Sequence, residues 1–224
     1  MNESADHELN DQSDERAAER ADGVNDALIE AARRAEFEQQ LVRAAAGDSA
    51  AWRVVVNAFA PRVHGLLRAQ CRDDELAEEI TQSTFCTIAT KLGSYIENGR
   101  FEAWLFRIAM NRLRDEMRRR ARQARTMDGE AFKRVAGASN NESGFVSVEV
   151  RDQLRLALSR MTEADREIID LRHIGGLSFR ALSDFYEEPV GTLLARHHRA
   201  LKKLKAMLVE LGVGAEDLSG RPNR

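Results

Sequence analysis

The chain has 224 residues, and 34 Lys and Arg against 37 Asp and Glu give a formal charge of −3 that conceals charge at 32% of all positions. Hydrophobic residues make up 43%, enough to bury a core in each of one or two domains, which excludes global disorder. No uncharged apolar stretch approaches the roughly 18 residues of a membrane span, and the first 22 residues are acidic where a secretory signal is basic then apolar, so a cytoplasmic protein is expected.

Cys71 and Cys86 form no C-x-x-C pair, and the five histidines (His7, His64, His173, His197, His198) supply no spaced ligand set. Neither a disulfide scaffold, a metal site nor another cofactor is expected. Prolines, the strongest helix breakers, occur only at 61, 189 and 222. The β signal is confined to a short alternating run at 145–150, too little for a sheet. The expected fold is all-α: two small helical domains joined by a flexible linker, the second a helix-turn-helix domain.

From Met1 to Asp26 nine acids stand against Arg16 and Arg20 with almost no large apolar side chains, so residues 1–35 read as an acidic, disordered tail. Apolar periodicity then runs through Phe37, Leu41, Trp52, Val55 and Phe59, resumes from Leu76 to Leu92, and continues from Phe101 to Met117, giving a first domain at 36–125. In its middle helix Ala77, Ile80, Thr84, Phe85, Ile88 and Leu92 turn inward, while Glu75, Glu79, Gln82 and Cys86 form an outward stripe at i, i+4, i+7, i+11. An acidic stripe repels DNA and suits a basic protein partner, although an isolated one is more often a solvated face.

Eight arginines (107, 112, 114, 118, 119, 120, 122, 125) against Asp115 and Glu116 then mark an electrostatic footprint for nucleic acid. On this helix Phe101, Leu105, Ile108, Ala109, Leu113 and Met117 cover the buried side, and Trp104, Arg107, Asn111, Arg114 and Arg118 share the other. Cations alone serve duplex binding. An interleaved aromatic offers the π face on which unpaired bases stack, so this surface suits melted DNA.

Between 126 and 149 glycines, serines and asparagines gather into a linker. Leu154, Ala157, Leu158 and Met161 open the second domain, 150–211, and residues 212–224 read as a flexible tail. Thr162 with Asp165 resembles a capping box, Gly175 and Gly176 end the helix that follows, Ser178 caps a short one, and Pro189 suits the first position of a longer third. On this last helix Val190, Leu193, His197, Leu201, Leu204 and Leu208 take one face, and Thr192, Arg196, Arg199 and Lys203 the opposite one. Two short helices followed by a longer one with a cationic outer stripe is the helix-turn-helix layout, whose last helix enters the major groove.

Three segments, Leu76-Ala-Glu-Glu-Ile-Thr-Gln-Ser-Thr-Phe85, Lys91-Leu-Gly-Ser-Tyr95 and Phe101-Glu-Ala-Trp-Leu-Phe-Arg-Ile-Ala-Met-Asn-Arg-Leu-Arg-Asp115, resemble the second conserved region of bacterial sigma factors. Leu177-Ser178 and Val190-Gly-Thr192, with Arg196, His198 and Arg199, resemble the fourth. The resemblance is closest to the extracytoplasmic-function group, which keeps these two domains and lacks the third, and it covers roughly residues 36–122 and 150–210.

The resemblance implies a promoter-specificity subunit without an active site of its own, which directs core RNA polymerase to promoters and helps open them. Glu75, Glu79 and Gln82 would dock on the β′ clamp helices. Tyr95 and Arg100, in a loop that would cup a flipped base, would join Trp104, Arg107, Asn111, Arg114 and Arg118 in holding the minus-10 element. Thr192, Arg196, Arg199 and Lys203 would read the minus-35 element as duplex, and the apolar part of the second domain would sit on the β flap. Promoter DNA, core polymerase and possible anti-sigma proteins are thus the implied partners.

The chain departs from the family pattern in the recognition turn. Glu187 stands where Gly is common, Glu188 where a small apolar residue is common, and Leu194-Ala195 where Lys-Ser is common. One lysine fewer and two more acids should weaken phosphate contacts. Two rival readings are a self-sufficient helix-turn-helix regulator and a sigma-like decoy that titrates an anti-sigma protein.

Overall fold

The computed structural model describes residues 32, 34–95, 99–126 and 148–213. The acidic tail up to residue 31, the interior of the expected linker (127–147), part of the base-cupping loop (96–98) and residues 214–224 lie outside the described residues. Among the described residues every regular element is helical, and no helix is long and apolar enough to cross a membrane.

Contacts group the described residues into two compact units, divided between Val55 and Val56. In the first, helix α1 (34–45) ends in a turn where Arg43 grips one oxygen of the Asp48 carboxylate at 2.9 and 2.6 Å. The other oxygen accepts from the Ala50 and Ala51 N–H groups, which starts α2 (Ser49–Cys71) and holds the Asp48 carboxyl below its ordinary range. Leu41, Ala51 and Val55 are buried here.

Helix α2 does not break at Pro61 but runs through it to Cys71. Proline removes one N–H donor and clashes with the turn before it; the buried stripe Phe59, Val63, Leu66 and Leu67 carries the helix across that defect. Asp73 then caps α3 (Asp74–Lys91) by accepting from Leu76 N–H at 3.0 Å, and all six residues expected to face inward are buried. A 3-10 turn (Leu92–Ser94) leads towards α4 (Phe101–Thr126).

On α4 the buried set is Phe101, Ala103, Leu105, Phe106, Ala109, Met110 and Leu113, broader than the periodicity implied. Met117, expected to be buried, is exposed, because after Leu113 no described residue of α4 is buried and its last turns project into solvent. Arg112 joins α4 to α3 through the hydroxyls of Ser83 and Thr87, and Arg120 reaches Asp73 at 2.9 Å. These two arginines of the expected footprint therefore hold the fold together. Arg119 and Arg120 both clasp Glu116 and pull its carboxyl down to about 2.

Both edges of the expected linker are helical, since α4 reaches Thr126 and α5 (Val148–Arg160) takes in the end of the alternating run at 145–150. Thr162 caps α6 (Glu163–His173) and Ser178 caps α7 (Phe179–Tyr186), each accepting from the N–H three residues on. Gly176, at φ +70°, makes the turn between them, where a side chain would also meet the Arg62 guanidinium at 3.2 Å.

Pro189 is extended (ψ 142°) and so sits one residue before α8 (Val190–Glu210), not at its first position. The inner face of α8 is Leu193, His197, Ala200, Leu204 and Leu208. Val190 and Leu201 are exposed, because Ala200 and Leu204 take the central line and rotate Leu201 to its edge. Residues 212 and 213 are not loose: Gly212 N–H reaches Val209 O and Val213 N–H reaches Leu208 O, closing α8 with Val213 buried.

Candidate nucleic-acid interface

The residues expected to hold melted DNA begin with an aromatic stack. Tyr95 and Trp104 lie ring on ring, centroids 4.6 Å apart and planes within 16°, and Phe101 meets both from the side. Phe101 is anchored edge-on against Phe59 of α2, so the stack stands on the buried core with its outer surface part-exposed. Tyr95, Arg100, Trp104 and Arg107 line one side of a cavity of about 580 Å³, and Asp184 and Glu187 face them across it. Asn111 and Arg114 continue the line along α4, with Arg114 donating to the Asn111 side chain at 3.2 Å. Arg118 is exposed at the far end, 3.4 Å from Asp115.

Most of these cations are engaged by α6 and α7. Arg100 pairs with Asp184 at 3.1 Å, Arg107 with Glu187 at 3.0 Å, and Arg114 with Glu167 at 2.6 Å. Glu167 is buried, and its second oxygen accepts from the Tyr186 hydroxyl at 3.0 Å. Burial together with that carboxylate pushes the Tyr186 phenol well above its ordinary range. Helix α2 adds Arg62, which donates to Gly175 O at 2.7 Å, and Gln70, which donates to the Asp170 carboxylate at 2.7 Å. Asp170 is buried, and desolvation pushes its carboxyl up to about 6 against the pull of Arg166 and Gln70.

The residues expected to read duplex DNA occupy the outer face of α8. Thr192 and Arg199 are exposed. Arg196 is held by Glu188, and its guanidinium lies over the Tyr186 ring at 5.4 Å. Lys203 reaches Asp165 at 2.6 Å, which draws the Asp165 carboxyl below its ordinary range. His197 packs between His173 and Phe179, so its place on the inner face is a packing one, and burial lowers its pKa.

Before α8, Glu187 adopts φ +59° and ψ +36°, the left-handed region in which glycine is at ease and other residues are strained by roughly 1–2 kcal/mol. On α3, Glu75, Glu79, Gln82 and Cys86 are all exposed on one stripe.

Spacing did not point to Glu167, Asp184, Tyr186 or the Glu188–Arg196 pair. Their partners come from other helices or from across a turn, where helical periodicity carries no information. The one available signal was compositional: two successive acids in a turn leading into a basic helix.

The profile of Sigma-70 region 2 matches residues 55–123 and that of Sigma-70, region 4 matches residues 157–206. The RNA polymerase sigma factor CarQ of Myxococcus xanthus is 32% identical over 152 residues, covering 68% of this chain and 86% of that protein. The ECF RNA polymerase sigma factor SigW of Bacillus subtilis is 27% identical over 173 residues, covering 74% and 92%. Among solved structures, CnrH in complex with the cytosolic domain of CnrY is 25% identical, with a TM-score of 0.55 over 76% of this chain and 96% of that one. The sigma factor RpoE in complex with the anti-sigma factor NepR from Bartonella quintana shares the fold at 23% identity, with a TM-score of 0.59 over 70% and 95%.

Proposed function

The chain belongs to the extracytoplasmic-function group of RNA polymerase sigma factors, and on that premise we propose how its surfaces divide the work of initiation. It directs core polymerase to promoters, and the polymerase supplies the chemistry; this chain acts in the cytoplasm without a catalytic centre of its own. Residues 36–125 serve polymerase and the minus-10 element, and residues 150–211 serve the minus-35 element.

On this reading the exposed stripe Glu75, Glu79 and Gln82 docks on the β′ clamp helices, with charge complementarity speeding encounter and fixing orientation. Tyr95 and Trp104 present a π surface to unpaired bases of the minus-10 element, and Arg100, Arg107, Asn111, Arg114 and Arg118 follow the strand's phosphates and base edges. Thr192, Arg196, Arg199 and Lys203 enter the major groove of the minus-35 element, which stays duplex. The exposed apolar residues of the second region, Leu201 and Val209 among them, suit the β flap. An anti-sigma protein is a further ligand on this reading, as NepR is for the sigma factor RpoE of Bartonella quintana.

One observation carries the reading: a core-anchored aromatic stack flanked by arginines lies on a different helix from the exposed groove-reading face. A duplex-only regulator has no use for the first surface. In the free chain Arg100, Arg107 and Arg114 face acids of α6 and α7, so single-stranded DNA must displace those acids.

Run-off transcription with purified core polymerase and a library of promoter fragments tests the whole reading. Initiation at defined sites is the expected result. Tight sequence-specific duplex binding without polymerase supports a stand-alone regulator instead, and failure to bind polymerase together with tight binding of an anti-sigma protein supports a decoy.

A further inference from the structure

We propose that Glu188 is a specificity-determining positioning residue, which aims Arg196 at a base edge and at the same time withholds its charge from the phosphates. The inference rests on the reading of Arg196 as a residue of the groove-facing surface, and adds to it a partner that is not itself on the recognition helix.

Glu188 is the penultimate residue before α8, and its backbone is fixed from α7. The Ser183 hydroxyl donates to Glu188 O at 2.6 Å, and Ser183 O accepts from the N–H groups of Glu187 and Glu188, the latter at 3.3 Å. From that fixed base both carboxylate oxygens reach one nitrogen of Arg196, Nη2, at 2.8 and 2.6 Å. The guanidinium lies over the Tyr186 ring, whose hydroxyl is tied to buried Glu167. Arg196 is therefore held from two directions by groups that are themselves held, and the pair is only about one-third exposed on each side.

Two consequences follow from the chemistry. A guanidinium carries five N–H donors, and both of its bidentate edges include Nη2; with Nη2 on the carboxylate, the Nη1 N–H groups remain for a single base-edge acceptor such as guanine O6 or N7. An arginine fixed in this way reaches the base edge without first surrendering its rotamer freedom, so the right base is rewarded more sharply than the wrong one. Pairing with a carboxylate also cancels its net charge, which removes the attraction to phosphate that every sequence offers equally. Glu188 thus trades general affinity for base discrimination. Sequence alone suggested only the loss of phosphate contacts; the geometry adds the gain.

The test uses holoenzyme reconstituted from core polymerase and the full chain, with promoter fragments randomised across the upstream element. Four proteins are compared: wild type, Glu188→Gln, Arg196→Ala and the double variant. Arg196→Ala should flatten base preference at one or two positions. Glu188→Gln should reduce discrimination at those same positions by about tenfold, while raising binding to non-cognate duplex severalfold and steepening its salt dependence. The double variant should match Arg196→Ala alone. If Arg196→Ala leaves every preference intact, the placement of Arg196 in the groove is wrong. If Arg196→Ala flattens preference but Glu188→Gln keeps it in full, Arg196 reads bases and the role of Glu188 is overturned. Loss of discrimination and of non-cognate binding together in Glu188→Gln also overturns it, since a merely structural defect lowers both.

Discussion

Arg107 of α4 donates to the Glu187 carboxylate at 3.0 Å and to the backbone carbonyls of Asp184 and Phe185, so one guanidinium closes the C-terminus of α7. A cation there satisfies carbonyls that the helix cannot and sits at the negative end of its dipole. The same arginine belongs to the surface assigned to melted DNA. On the proposed reading, phosphate and α7 compete for one side chain.

Replacing Glu187 by glycine removes the carboxylate and suits the left-handed turn it occupies. Binding of a fluorescent single-stranded oligonucleotide to the free chain should tighten severalfold in Glu187→Gly. Urea unfolding should shift by no more than about 1 kcal/mol, because relief of backbone strain and loss of an exposed ion pair oppose each other. Unchanged anisotropy titrations would show that Arg107 is not held back by this contact.

The aromatic stack should matter for one strand state only. Trp104→Ala is expected to weaken single-stranded minus-10 binding by about 1–3 kcal/mol and to leave binding of duplex upstream fragments unchanged. Parallel titrations with the two DNA forms measure both. An equal loss on both would mean that Trp104 supports the fold, not the strand.

At cognate upstream DNA, Arg196→Ala should cost about 1–3 kcal/mol, read as the protein concentration needed for half-maximal run-off product. Arg199→Ala, which alters an exposed cation on the same face, should weaken binding more evenly across sequences and lower the salt slope by about one.

Charge reversal on the α3 stripe tests polymerase docking. Glu79→Lys should reduce affinity for core enzyme by about tenfold, mainly by slowing association, and leave binding of isolated DNA no weaker than before. Surface plasmon resonance with immobilised core enzyme separates the two rates.

Acidity should act through Asp170. The fold keeps its proton up to about pH 6, whereas an unfolded aspartate releases it near 4, so between these values the fold binds the extra proton. This group's contribution to stability therefore declines as pH rises from about 4 to about 6 and stays at its low value above. Asp170→Asn retains an acceptor for Gln70 and should be more stable than wild type at pH 7.5, by on the order of 1–3 kcal/mol, with the difference closing near pH 4. Thermal unfolding of both proteins across that range is the measurement.

Much of this architecture was legible in local spacing. The inward set of α3 and the caps at Thr162 and Ser178 depend on residues within one or two turns, and such patterns survive in a linear text. Helix α2 was harder, because Pro61 reads as a stop unless the buried stripe on both sides is weighed against it. The engagement of α4 by α6 and α7 was out of reach: Arg114 meets Glu167 across 53 residues and Arg107 meets Glu187 across 80, and one exposed charge looks like another. Glu187 stands where Gly is common in the family, which hints at a left-handed turn, but nothing in the glutamate itself announces its positive φ.

Glu167 gives the assembly a tempo. Its carboxylate is buried and held by donors from two helices, Arg114 and Tyr186, and parting α4 from α6 strips away the cation before water has taken its place. If polymerase captures only the separated form, opening is a unimolecular step that precedes capture. Observed capture rates should therefore level off as enzyme concentration climbs, and the plateau reports how fast the chain lets go of itself.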